Sequence, residues 1–257
     1  MKRIDELNKY YKPIGIIDKH TKILFWICSI ISFLVFWLKG DTANWLQQSS
    51  DIVFIISVLT YSILSNYNSF MLIPSVENVR RKQLISDALK VPLTSEITQK
   101  YYNNELFPSI DRLGVCVFEN TYFAKKVCKE MLKVERVRVF IYFILWFIVV
   151  SIRQVDTGLL IIITQILFSG EVIFYWGRLE ILRHKNEVIH NSLYNHFLSY
   201  KTTKDDVKIA KILDCFVSYE CAKSNASIKQ SSKIFDKINP QLSSEWENIK
   251  DKLNITN

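Results

Sequence analysis

The chain has 257 residues, 49% of them hydrophobic and 13% aromatic, with 6 Gly, 5 Pro and a formal net charge of +8. So little glycine and proline excludes a disordered chain and a turn-rich β protein. Charged residues make up an ordinary 23%, but they stand in blocks apart from the apolar ones, the pattern of a membrane protein with soluble parts.

Residues 1–22 carry six Lys or Arg and lead into the first apolar block, "ILFWICSIISFLVFWL", Ile23 to Leu38. No small-x-small cleavage site follows it, so the block reads as a retained span and not as a signal peptide. The second block starts at Ile52 and carries no charge until Glu77. Pro74 is expected to end its helix, and Ser75 to cap the next one, "SVENVRRKQLISDALK". "VPLTSEITQKYYNNELFPSI" holds two prolines and reads as irregular. "FENTYFAKKVCKEMLKVERVRVF" reads as one helix running into the third block, Val139 to Ile152. The fourth block runs from Thr157 to Gly170 and continues past Glu171 to Gly177.

A spanning helix wants ~20 apolar residues, and the first and third blocks have 16 and 14. Snorkelling Lys and Arg at their ends extend that reach. The competing reading is a set of buried helices in a soluble bundle. Two closely spaced pairs of blocks favour membrane hairpins, and Trp26, Trp37, Trp45 and Trp176 sit where interfacial aromatics belong. All but two of the 33 Lys and Arg fall in 1–22, 77–138 and 178–257. The positive-inside rule then puts both termini and the middle segment in the cytoplasm.

The expected fold is an all-α membrane protein of two transmembrane helical hairpins, four spans in all. It divides into a cytoplasmic N-terminal segment (1–22), a first hairpin (23–73), a basic cytoplasmic helical region (74–138), a second hairpin (139–177) and a cytoplasmic helical tail (178–257). In the tail, Leu179, Leu182, Asn186, Ile189, Leu193, His196 and Tyr200 recur at alternating spacings of three and four. That is a heptad seam. Leu182, Asn186, Ile189 and Leu193 are therefore candidates for zipping identical subunits, the alternative being intramolecular packing against the 205–223 helix. That helix has Asp205 as a candidate N-cap and Ile209, Ile212, Phe216 and Tyr219 as its apolar stripe. A last helix is expected after Pro240.

No Walker A loop, G-x-G-x-x-G, H-E-x-x-H or G-x-S-x-G is present, so nothing argues for an enzyme. The five cysteines form no C-x-x-C pair and no zinc spacing, and they read as free thiols of a reducing compartment. Neither a cofactor nor a stable metal is expected. Glu171 is a charge inside an apolar run, near the inner end of the fourth block. It either faces a water-filled pathway or pairs across a subunit contact, or else it pairs with a cytosolic lysine at the interface. Ser57, Tyr61, Ser62, Ser65 and Asn68 lie at helical spacing on the second block. They line a wet pore, or they hydrogen-bond between packed helices.

Cations cluster near the membrane at Arg80, Arg81, Lys82, Lys125, Lys126, Lys129, Lys133, Arg136 and Arg138, with Tyr101, Tyr102, Phe107 and Tyr122 interleaved. They read as topology signals that attract anionic lipid, or as an anionic-ligand surface in which aromatics stack bases and cations neutralise phosphates.

The order hairpin, basic helical segment, hairpin and helical tail, with "VRRKQLISDALKVPLTSEITQKYYNNE" (Val79 to Glu105) after the first hairpin, resembles the SMODS-associated four-transmembrane family of bacterial conflict systems. Membrane effectors of Hailong-type anti-phage systems are similar in layout. The resemblance implies a homo-oligomer, with a tetramer expected, in the bacterial inner membrane. It further implies a partner nucleotidyltransferase and gating by an oligonucleotide or cyclic nucleotide, including a DNA oligomer that holds the channel shut. The rival reading is a non-conducting scaffold that recruits a cytoplasmic partner.

Overall fold

The computed structural model describes residues 4–37, 44–96, 98–99, 104, 106–151, 157–167 and 172–255. These are almost wholly helical. The helices are α1 (Asn8–Trp37), α2 (Asn44–Tyr67), α3 (Ile73–Leu89), α4 (Ile110–Ser151), α5 (Thr157–Leu167), α6 (Ile173–Leu198), α7 (Asp205–Ala226) and α8 (Ser232–Leu253). A two-residue ladder pairs β1 (Ile4–Asp5) antiparallel with β2 (Thr98–Gln99).

Pro74 does not end the second apolar helix. The chain is helical from Trp45 to Leu89, with a π-helical turn at Asn68–Leu72 immediately before α3. Proline has no N–H for the carbonyl four residues back, and its ring crowds that carbonyl. A widened turn there absorbs both effects. Ser75 accordingly lies inside α3 and caps nothing. Pro240 likewise sits inside α8. That helix starts earlier than expected, at Ser232, where the Ser231 hydroxyl accepts from the Ile234 amide at 3.3 Å. α7 starts at Asp205, with Lys204 as its cap residue and Asp205 in the first turn.

The chain divides into two compact units. One comprises residues 1–12, 73–131 and 179–257. Its core gathers Leu84 and Ala88 of α3, Val115, Phe118 and Tyr122 of α4, Leu193 of α6, Tyr219 of α7 and Trp246 of α8. Phe118 stacks on His190 at 4.7 Å and meets Trp246 edge-on at 5.0 Å. Large apolar side chains point inward here, as hydrophobic burial requires.

The other unit comprises residues 13–72 and 132–178, the stretches that hold the four apolar blocks. Its pattern is inverted. Thr21, Ser29, Ser57 and Asn68 are buried. Trp26, Ile30, Phe33, Ile55, Ile56, Ile63, Phe140 and Phe147 are exposed. A small cluster of Val139 and Val172 with Phe25, Tyr142, Trp146 and Trp176 packs inside it. The indole N–H of Trp146 on α4 donates to the Thr164 hydroxyl of α5 at 3.0 Å.

Among the described residues, one helix, Trp45–Leu89, is long and apolar enough to cross a membrane by length and composition. Of the fourth block, Thr157–Leu167 forms the 11-residue α5, and its last described residues open α6.

Candidate functional site

A cavity of about 630 Å³ opens in the first unit. Six pieces of chain build its walls: the start of α1 supplies Tyr11 and Lys12, α3 supplies Glu77 and Arg80, α4 supplies Asn120, α6 supplies Leu182, and the last turns of α7 supply Tyr219 and Lys223. The segment 228–231 and the first turn of α8 close the rest with Lys229, Ser231 and Phe235. Each piece comes from a different part of the sequence, so only the tertiary fold assembles the site.

Glu77 is its hub. One carboxylate oxygen accepts from the Tyr11 hydroxyl at 3.1 Å, and the other lies 3.0 Å from the Lys223 ammonium. Lys223 also lies 3.0 Å from Glu220 and 4.7 Å from the centre of its neighbour Tyr219's ring. Burial alone would lower the lysine's pKa. Tyr219, Glu77 and Glu220 together outweigh that and hold it above the ordinary lysine range. Burial, followed by the Glu77 charge, pushes the Tyr11 phenol up, so Tyr11 stays a neutral donor.

The Lys229 ammonium donates to the Tyr11 carbonyl at 3.0 Å, a neutral acceptor, so the contact leaves its charge uncancelled. The Arg80 guanidinium lies 5.4 Å from the Tyr11 ring centre, within cation–π reach. The walls thus carry four cationic side chains, Lys12, Arg80, Lys223 and Lys229, against the carboxylates of Glu77 and Asp236. Aromatic faces stand beside them.

Of the residues expected on a ligand surface, Arg80 alone is in this wall. Arg81 and Lys82 are exposed on α3, and Arg81 donates to Asn78 at 2.6 Å. Lys126 pairs with Glu245 at 3.2 Å. Lys125 and Lys126 both lie 5.4 Å from the Tyr122 ring centre. Burial draws the Lys125 pKa down to about 8. Lys129 is exposed, and Lys133 and Arg136 are exposed on the stretch of α4 that belongs to the second unit. Tyr101 and Tyr102 lie outside the described residues, as does Glu171. The site residues that sequence reasoning missed are Tyr11, Tyr219, Lys223 and Lys229. Tyr11 directly precedes a lysine and a proline, and Lys229 sits in a Ser- and Lys-rich connection. Neither signal is specific.

The candidate pore stripe divides. Ser57 and Asn68 are buried, Tyr61 and Ser65 are half-buried, and Ser62 is exposed. At 100° per residue, Ser57, Tyr61, Ser65 and Asn68 share a face and Ser62 falls off it. Ser62 instead accepts from Asn66 at 3.3 Å on the outer surface. The Asn68 carbonyl oxygen is buried without a hydrogen-bond partner; it sits in the π turn, where the backbone ladder is already irregular.

The heptad seam is covered by its own chain. Leu182, Asn186, Ile189 and Leu193 are all buried, and Ile189 and Leu193 share a core with residues of α4, α7 and α8. Asn186 donates to the Leu182 carbonyl at 2.8 Å, a bond within its own helix. Within the single chain, then, these four residues do not form an exposed face. Heptad spacing shows that a stripe is covered but cannot name its cover.

Comparison with family models, with curated proteins and with solved structures finds no match for the chain.

Proposed function

We propose that the chain is an oligomeric channel of the bacterial inner membrane, an effector of anti-phage defence gated by a nucleotide or oligonucleotide bound on its cytoplasmic side. One observation carries the membrane half of this reading. In the unit of residues 13–72 and 132–178, Ser29, Ser57 and Asn68 turn inward while Ile, Phe and Trp turn outward. In water this arrangement exposes a large apolar surface at high cost. In lipid there is no such cost, and small polar residues between helices are what bundle packing uses. Four spans follow on this reading, with the Lys- and Arg-rich segments inside. The wet stripe of Ser57, Tyr61, Ser65 and Asn68 would then line either a helix contact within one copy or the path enclosed by several copies.

The gating half rests on the cation- and aromatic-walled cavity of the other unit. A cavity of this size falls in the range of small-molecule sites.

A second reading has one observation in its favour. Ile209, Leu213 and Val217 form an exposed apolar stripe along α7, which suits a scaffold that recruits a protein. Ion flux into liposomes containing purified protein separates the two. A channel gives flux that changes when short oligonucleotides are added. Folded, oligomeric protein that passes no ions in either condition would sink the channel reading and leave the scaffold.

A further inference from the structure

We infer that the cavity walled by Tyr11, Arg80, Tyr219, Lys223, Lys229 and Phe235 is a binding site for a phosphate ester that carries a flat ring. The inference rests on the gating half of the proposed function and supplies its location.

The cations come first. Glu77 and Glu220 neutralise Lys223, so Lys223 serves to order the wall. Among the described residues Lys229 donates to a carbonyl and lies 5.9 Å from the Tyr11 ring centre, and Lys12 adds a further charge to the lining. An anion entering there gains charge-assisted hydrogen bonds from a lysine that needs little reorientation. The segment that carries Lys229 runs straight into α8, whose first residues Ser231 and Ser232 also line the cavity. The amides at a helix start favour the same sign of ligand charge. The two carboxylates set the limit. Glu77 is held by Tyr11 and Lys223, while Asp236, also in the lining, is a repulsive group for an anion.

The aromatics come second. Tyr11, Tyr219 and Phe235 line the same space. A planar ring stacked on such faces contributes ~1–3 kcal/mol in nucleic-acid sites. The volume of about 630 Å³ admits a small molecule or one end of an oligomer; a duplex is far too wide. Tyr11 and Lys12 are also the last two residues before the chain enters the apolar unit at Pro13, and α3 is the first element after it leaves at Leu72. A ligand held by Tyr11, Lys12 and Arg80 therefore grips two segments directly joined to apolar helices.

The test uses full-length protein in nanodiscs with AMP, dAMP, the dinucleotide of deoxyadenosine and glycerol phosphate as probes, measured by equilibrium dialysis. Lys229→Gln and Arg80→Gln should each weaken nucleotide binding by about tenfold or more. Lys229→Arg should retain it, and Lys252→Gln, an exposed cation near the end of α8, should leave it unchanged. Absence of binding by every nucleotide, or equal loss in the Lys252 variant, overturns the site. Glycerol phosphate bound as tightly as AMP overturns the ring half and points to a lipid headgroup or free phosphate. Nucleotide-dependent flux that persists unchanged in the Lys229 and Arg80 variants overturns the site while the gating reading stands. Nucleotide bound at the site by protein that passes no ions keeps the site and removes the channel.

Discussion

The ammonium of Lys223 lies 3.0 Å from a carboxylate oxygen of Glu77, joining the last turns of α7 to α3 across 146 positions of sequence. Both side chains are largely covered, at 12% and 20% exposure. Removing one partner leaves the other charge buried and unmatched, which costs about 3 kcal/mol. Lys223→Met is expected to lower the melting temperature by roughly 5–10 °C. The double variant Lys223→Met with Glu77→Leu should recover part of the loss, because Glu77 is then no longer an unmatched buried charge, and only Glu220 is left without its cation. Additive losses in the double variant would show that the two groups do not act as a pair. The pair also has a pH signature. The Lys223 pKa is raised in the fold, so its contribution is complete below the ordinary value of 10.5 and disappears only as pH rises through the higher folded value.

Tyr122 on α4 donates to Glu245 on α8, and Lys126 reaches the same carboxylate oxygen at 3.2 Å. The hydrogen bond from Tyr122, then that from Gln241, holds the Glu245 pKa below its usual 4.5. A depressed carboxylate stabilises the fold above its unfolded pKa, and the benefit is lost as pH falls through the folded value. Tyr122→Phe should cost about 1 kcal/mol at neutral pH, since Glu245 is partly exposed and screened. The cost should shrink below pH 4.5. A Tyr122→Phe penalty that stays constant down to pH 3 would exclude the carboxylate as its source.

Much of the helical plan is legible from residue order. Four apolar blocks, and a helix running unbroken through "FENTYFAKKVCKEMLKVERVRVF" into the third of them, follow from segregation and helix-forming composition. The π turn before Pro74 and the proline inside α8 do not, because a proline's cost is local while its compensation is tertiary. In α8 the compensation is the burial of Leu242 and of Trp246, which is fully covered. The cavity is illegible for a stronger reason. Lys229 and Tyr11 are 218 positions apart, and nothing in either neighbourhood announces the other. The basic clusters that stand out in the sequence are mostly exposed or paired, whereas the cations that face enclosed space are scattered singly.

His190 is buried between Phe118 and Tyr122, with ring centres at 4.7 and 5.4 Å. Burial, with Lys125 and Lys126 adding repulsion, depresses its pKa from 6.5 to about 3. The unfolded chain therefore takes up a proton in a window where the folded chain does not. Stability falls as pH drops from 6.5 towards 3. His190→Gln should lower stability at pH 7, where packing is lost, but flatten the acid-side decline. Measuring melting temperature from pH 7 to 4 in both proteins decides the matter: parallel curves would mean that His190 is not the group responsible.

Gly114 stands where α4 meets Ile212 of α7. A Cβ placed on it would lie 3.0 Å from two atoms of the Ile212 side chain. Ile212 is itself fully buried, so shifting it disturbs the side chains packed around it. Alanine in a helix interior ordinarily gains about 1 kcal/mol over glycine. Overpacking a tight core contact costs about 1–3 kcal/mol, so the clash should win. Gly114→Ala is expected to destabilise modestly, by about 1 kcal/mol. Ile212→Val removes one methyl from the crowded side and should cost about 1 kcal/mol alone. Combined, the two changes should be less harmful than their sum, because each relieves the other. A strictly additive pair would show that the helices separate instead of repacking, and would remove Gly114 as the reason for their close approach.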